Sequence, residues 1–261
     1  MTETYFTTSW DDGHPADLRV AEMLSRYRLA GTFYIPRTID SGVMSEPQMR
    51  QIAEQGFEIG AHTLTHAFLP SVDAVTAKSE IDGSKQWVAD VTGSECRMFC
   101  PPGGKFDARH LRNVRDAGFL GVRTVELVSL GFPRRREVHG GGMVMEMPTT
   151  IQAFPHAVGA YARNIAKRAA ARNLWVYLVH GHARDWSMLA RRLIERAAGA
   201  GGVFHLWGHS WELVEQRQWE RLDEVFRVMA EHARHARHWS NGRICEHFRE
   251  GALARRPQRA A

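Results

Sequence analysis

Cysteine is scarce in this chain: Cys96, Cys100 and Cys245 are the only three in 261 residues. An odd, widely spaced trio does not make a disulfide framework, and a reducing cytoplasm is the simplest expectation. Long apolar runs are also missing. No stretch approaches the roughly 18 residues that a membrane helix needs, so no transmembrane segment is expected. The start, Met1-Thr2-Glu3-Thr4-Tyr5, lacks the basic region and apolar stretch of a signal peptide, which again points to a cytoplasmic protein. No Pro/Gly/Ser-rich linker and no internal repeat divides the chain. The expectation is one domain over residues 1–250 and a basic, disordered tail over 251–261. A large excess of one charge is lacking too. The formal net charge is +5, but Arg255, Arg256 and Arg259 supply three of those charges, leaving about +2 on the body. That balance requires neither nucleic acid nor an anionic membrane as partner. What remains is ordinary globular material, 44% hydrophobic and 24% charged, enough for one sizeable core.

Short apolar runs alternate with amphipathic stretches, which predicts βα units and a mainly parallel sheet. Strands are expected at Tyr5–Trp10, Gly31–Ile35, Phe57–Ala61, Met98–Cys100, Leu120–Arg123, Met143–Met147, Trp175–Val179 and Val203–Trp207. Helices are expected at Asp17–Tyr27, after the Ser45 cap with Pro47 in its first turn, at Val72–Val91, from the Asp107 cap to Ala117, and at Ala157–Ala171, Ser187–Ala198 and Gln216–His235. The Gly- and Arg-rich segment 126–142 reads as loop. Strand-then-helix repetition of this count favours an α/β barrel, in which the loops after the strands carry the chemistry.

Asp11, Asp12, His62, His66, Pro102 and His209 all fall just after expected strands. His62 and His66 are spaced i, i+4, so a helical turn would point both rings the same way. An isolated H-x-x-x-H is more often a surface pair. Here an Asp-Asp-Gly turn lies upstream, and two imidazoles with one carboxylate, Asp12, form a face that holds one divalent metal and leaves positions open. The second acid, Asp11, is then left to work on water, the arrangement of a hydrolase.

These residues resemble the polysaccharide deacetylase family (carbohydrate esterase family 4). The family's T-F-D-D-G corresponds to Ser9-Trp10-Asp11-Asp12-Gly13, and its H-[ST]-x-x-H to His62-Thr63-Leu64-Thr65-His66. Its R-P-P-Y-G is changed to Cys100-Pro101-Pro102-Gly103-Gly104, and its L-x-H to Trp207-Gly208-His209. The resemblance covers about residues 5 to 215 and implies a distorted (β/α)7 barrel. It implies Asp12, His62 and His66 as ligands of a metal, most often zinc. It further implies Asp11 as general base, His209 as general acid and a backbone N–H of the Pro102-Gly103 turn as oxyanion donor.

Two of the departures from the pattern bear on the chemistry. Cys100 stands where the family has an arginine that pairs with the catalytic aspartate, and a thiol supplies neither that charge nor its hydrogen bonds. The cation comes from elsewhere, with Arg123 at the next strand end as the candidate, or the protein works without it, or activity has been lost. Trp207 replaces a leucine and shares a strand face with His209. It either reshapes the acyl pocket for a small group, acetyl or formyl, or packs the barrel. Among other polar residues, His14 is expected at the cleft rim. His205 is expected behind His209 or in the core, and Trp211, Glu212 and Trp219 in structural roles. The loop His180–Trp186 could line the substrate groove.

The expected activity is metal-dependent removal of a small acyl group from an N-acylated sugar, a cytoplasmic precursor of a surface polysaccharide. The alternatives are hydrolysis of a non-sugar amide or cyclic imide, and a catalytically inactive glycan-binding protein. Nothing in the residues specifies an oligomeric state.

Overall fold

The computed structural model describes residues 3–156, 185–232 and 234–254. At its centre is β1 (Thr4–Asp11), buried at every position. That pattern belongs to a strand covered on both faces. It lies parallel between β2 (Gly31–Ile35) and β9 (Gly202–His209). The β1–β9 register runs from Thr4 opposite Gly202 to Asp11 opposite His209. In-register parallel pairing therefore sets Asp11 and His209, almost two hundred residues apart in sequence, side by side at the carboxyl end of the strands.

The sheet continues from β2 through β3 (Glu58–Ala61), β4 (Met98–Phe99), β5 (Gly121–Arg123) and β7 (Met143–Met147), all parallel. On the other side β8 (Ile151–Gln152) extends it beyond β9. One antiparallel strand, β6 (Arg134–Glu137), pairs with β7, and a short β10 (Arg237–His238) pairs with the start of β1. The expected parallel architecture is thus present, with every expected strand among the described residues within a few positions of its place. The expected strand Trp175–Val179 and helix Ala157–Ala171 lie outside the described residues.

The helices are α1 (Asp17–Tyr27), α2 (Glu46–Glu54), α3 (Ala74–Thr92), α4 (Ala108–Asp116), α5 (Trp186–Ala200), α6 (Ser210–Glu215), α7 (Trp219–Glu231) and α8 (Asn241–Ala254). Asp73, Asp107 and Asp185 start α3, α4 and α5 by accepting hydrogen bonds from backbone N–H groups of the first turn. None of the described helices is long and apolar enough to cross a membrane.

Three expectations need correction. The segment 126–142 is not all loop. β6 lies within it, hidden because its arginines point outward from a sheet edge and leave no apolar alternation. The helix expected at Gln216–His235 is shorter and preceded by a separate turn of helix, α6, with Arg217 left-handed at φ 51° in the connection. The last helix also continues to Ala254, past the tail boundary expected at residue 250.

The main core fills the space between sheet and helices, around Phe6, Trp10, Phe33, Phe99, Phe204 and Phe226. A second cluster closes the opposite end of the strands around Tyr5, Met98, Met145, Ile244 and Cys245. There the Tyr5 ring packs 5.3 Å from Trp239 and 5.6 Å from Phe248, centroid to centroid. Each large apolar side chain fully buried in this way contributes about 1.5–3 kcal/mol.

Candidate active site and metal centre

β1 turns sharply after Asp11. Asp12 has φ 76° and Gly13 φ 62°, both left-handed. At Gly13 an added Cβ would also lie 2.6 Å from Ile35 Cγ2, so the turn requires glycine. Asp12 has no such excuse. Its strained backbone aims its carboxylate inward, the kind of outlier that clusters at functional sites.

The turn after β3 does the same for two histidines. Thr63 and His66 have φ 60° and 56°. This turn is held by Glu80 of α3, whose carboxylate accepts from the backbone N–H of Leu64 and of Thr65 and from the Thr65 hydroxyl, each at 2.8 Å. α3 comes this close because position 83 is glycine: a Cβ there would meet Leu64 Cδ1 at 2.5 Å. Glu80 was not expected from the sequence. Its helical position gives no sign of the loop it clamps.

The three expected metal ligands come together. His62 Nε2 is 3.4 Å and His66 Nε2 3.2 Å from Asp12 Oδ1. Donors about 2.0–2.1 Å from one tetrahedral ion are separated by about 3.3 Å, so the spacing fits a single cation. The donor chemistry fits as well. His62 Nδ1 lies 2.6 Å from the Cys100 carbonyl oxygen. A carbonyl only accepts, so Nδ1 carries the hydrogen and Nε2 turns its lone pair towards Asp12. Asp12 Oδ1 itself is buried without a hydrogen-bond partner. Lone pairs gathered around one point call for a positive charge there.

Asp11 is separate from this cluster. Its Oδ2 accepts from Arg123 Nη2, and its Oδ1 is buried without a hydrogen-bond partner. Arg123 is fully buried, its guanidinium 4.9 Å from the Trp207 ring centroid and 5.4 Å from that of Tyr34. Burial pushes Asp11 upward, yet the charge of Arg123, with His62 and His209, brings it below its ordinary value. A guanidinium from β5 thus stands beside Asp11, the arrangement named first among the three alternatives for position 100. Cys100 packs beside the pair, its Sγ 3.8 Å from Asp11 Oδ2, and burial raises its thiol well above the ordinary range.

His209 ends β9 with Nε2 3.9 Å from Asp12 Oδ2 and Nδ1 2.8 Å from Glu212 Oε2. Burial would lower its pKa, but the Glu212 hydrogen bond and the Asp11 and Asp12 charges raise it to about 9. Trp211 Nε1 donates to Asp12 Oδ2 at 2.9 Å. The expectation that Trp211 and Glu212 are merely structural is thus corrected: α6 begins directly after His209 and carries both back to the site. Asp17, at the start of α1, is fully buried near these acids, and burial raises its carboxyl well above the usual range.

A cavity of about 440 Å³ opens onto Asp11, Asp12, His62, His66 and His209, with Gly103 and Gly104 at one side and Phe68, Val125, Leu127 and Trp207 as apolar walls. Gly103 is left-handed at φ 61°, and a Cβ there would lie 2.7 Å from Phe68 Cε1. Pro102 is buried at the start of that turn. The Trp207 indole Nε1 is buried without a hydrogen-bond partner. His14 is not in the cavity; its Nδ1 accepts from Ala16 N–H at 3.1 Å. His205 belongs to the core, fixed between the Pro148 carbonyl (2.8 Å) and the Ser9 hydroxyl (2.9 Å). Residues 180–184 of the expected groove loop lie outside the described residues.

The family model for polysaccharide deacetylase matches residues 2–122. That match covers a little under half of the chain. The chain is 25% identical over 119 residues to the peptidoglycan-N-acetylmuramic acid deacetylase PdaA of Bacillus subtilis, a match covering 45% of this chain and 43% of that protein. It is 28% identical over 127 residues to a peptidoglycan-N-acetylglucosamine deacetylase of Bacillus cereus, covering 46% and 56%. The chain spans about half the length of these curated relatives. Structural likeness extends much further. A Mycobacterium smegmatis protein assigned to the polysaccharide deacetylases superposes with a TM-score of 0.70 at 16% identity, covering 99% of this chain and 95% of that one. A carbohydrate esterase family 4 pseudoenzyme from Bacillus anthracis superposes with a TM-score of 0.54 at 12% identity, covering 93% and 66%. The described residues therefore share the fold of these polysaccharide deacetylase structures, and since that fold carries a pseudoenzyme too, activity has to be argued from the site.

Proposed function

We propose that the protein is a metal-dependent hydrolase that removes a small acyl group, acetyl or formyl, from an N-acylated sugar. The observation that carries this reading is the division of labour at the strand ends. Three donors converge on one point, while a fourth group, Asp11, is held apart by its own arginine. Asp12, His62 and His66 would hold the cation, with zinc favoured by the two-imidazole, one-carboxylate set. A divalent ion held there supplies positive charge that lowers the pKa of the attacking water and polarises the acyl carbonyl.

The chain's own residues do the rest. Asp11 keeps one oxygen on Arg123 and offers the other, Oδ1, to accept the water's proton. Arg123 fixes the carboxylate's orientation and keeps it ionised. At the end of the neighbouring strand, His209 carries a proton on Nε2 because Glu212 stabilises the imidazolium through Nδ1. It delivers that proton to the leaving nitrogen, which otherwise departs poorly. The N–H of Gly103 is the donor for the oxyanion, and such a fixed donor is worth about 3–4 kcal/mol. Phe68, Val125, Leu127 and Trp207 enclose a small acyl group rather than a long one.

No lysine or arginine is among the described residues that line the cavity, which fits a neutral acylated unit. Three buried, unpaired cysteines fit a reducing compartment, and we place the activity in the cytoplasm, on a precursor of a surface polysaccharide. The apolar walls also suit a non-sugar amide or cyclic imide, so both belong in the assay. The test is release of acetate or formate from N-acylated amino sugars, with such amides alongside, in the presence and absence of a chelator. Chelator-sensitive release from the sugars is expected. Release confined to non-sugar amides would replace the substrate, and turnover indifferent to the chelator would overturn the reading.

A further inference from the structure

Beyond Glu212, the polar contacts behind His209 continue. Gln152, on β8, is almost fully buried and lies opposite Trp207 in register. Its amide nitrogen donates to Glu212 Oε2 at 2.9 Å. This is the same oxygen that meets His209 Nδ1 at 2.8 Å. The other end of the amide, Oε1, lies 2.7 Å from Nε2 of His156.

The directions of these bonds follow from what each group can do. An ionised carboxylate only accepts, so the Gln152 NH2 must face Glu212. Its carbonyl then faces His156, which must carry its hydrogen on Nε2. Rotating the amide would set its oxygen against the Glu212 carboxylate, so the carboxylate end fixes the orientation. A glutamate near a cavity has several rotamers, and only some keep Oε2 beneath His209. A second donor on the same oxygen selects those.

We propose that Gln152 is a positioning residue for the proton donor: it anchors Glu212 so that His209 presents Nε2 to the leaving nitrogen. The relay runs His156, Gln152, Glu212, His209. This inference rests on the acid role given to His209 above. It explains why a buried amide sits at a strand end beside an apolar cavity, where an aliphatic side chain would pack with no hydrogen bond to satisfy.

The test exploits leaving-group chemistry. An amide nitrogen needs a proton to depart, whereas 4-nitrophenolate leaves without one. Gln152→Met keeps the length of the side chain and removes both hydrogen bonds. The full chain and this variant are compared on an N-acetylated amino sugar and on 4-nitrophenyl acetate. The ratio of amide to ester kcat is expected to fall roughly tenfold in the variant, the usual scale for a supporting partner, with KM for the amide little changed. Gln152→Leu serves as a second variant if the first does not fold. An equal loss on both substrates, or no loss on either, would overturn the positioning role while leaving the activity in place. A wild-type protein that cleaves the ester but no amide would instead remove the acid role, and the inference with it.

Discussion

The two ends of β1 are built from opposite materials. At its start, Tyr5 and Phe6 sit among Trp239, Phe248 and His238, ring against ring, with arginines laid over Trp239. At its end, Asp11 and Asp12 sit among imidazoles and one buried guanidinium. The histidines show the contrast most directly. His238, near the start, is half-buried with neither enclosed ring nitrogen hydrogen-bonded, and burial lowers its pKa to about 4. His209, at the far end, is half-buried too, yet its carboxylate neighbours raise it to about 9. One end packs rings and keeps its enclosed histidine neutral; the other gathers charge under backbone strain. This is the division expected of parallel barrels, with chemistry at the carboxyl ends of the strands.

If the division holds, substitutions at the two ends should separate activity from stability. The largest effect is expected from Asp12→Ala or His66→Ala. Loss of the cation forfeits several kcal/mol of transition-state stabilisation, hence roughly a thousandfold or more in kcat/KM. Metal content measured by mass spectrometry should fall with it, and removal of the metal from the wild type should reproduce the effect. Asp11→Asn should reduce kcat about 10²- to 10⁴-fold while the metal stays bound. A variant that lost metal instead would blur the boundary between ligand and base. At the other end Tyr5→Ala should cost about 3–5 kcal/mol in chemical denaturation, with kcat of the folded fraction close to wild type.

The smallest effect concerns pH. Burial depresses His205, to about 3, and His238, to about 4. The unfolded chain therefore takes up protons at these positions before the folded protein does. Stability is fully retained above about pH 6.5, the ordinary histidine pKa, and is lost as pH falls through the window towards 4. His238→Phe should flatten part of that fall in melting temperature. An unchanged slope would mean that His238 is not kept neutral.

Much of this arrangement is legible in the sequence because strand ends are. Asp11-Asp12-Gly13 and His62-x-x-x-His66 each follow an apolar run, so their convergence follows from topology alone. Arg123 could be nominated for Asp11 because it ends β5, the strand that follows the one ending before Cys100. Glu212 was open to the same reasoning. It stands at i+3 from His209, a spacing that a helical turn converts into contact, but α6 is too short to announce itself by periodicity. Trp211 shares that turn. Glu80 and Gln152 are a different matter. Their partners lie on other elements, and only tertiary packing brings α3 onto the His62–His66 turn or β8 beside α6. β6 was missed for the opposite reason: an exposed, arginine-rich edge strand has no buried face to give it a pattern.

The central claim is that one cation is shared by Asp12, His62 and His66 while Asp11 stays outside its coordination. Anomalous scattering from a crystal grown with zinc tests it most directly. A single peak about 2.0–2.2 Å from an Asp12 oxygen and the Nε2 atoms of His62 and His66, with Asp11 still on Arg123, is the predicted result. A peak ligated by Asp11 or Cys100, or no peak between the two histidines, would contradict it.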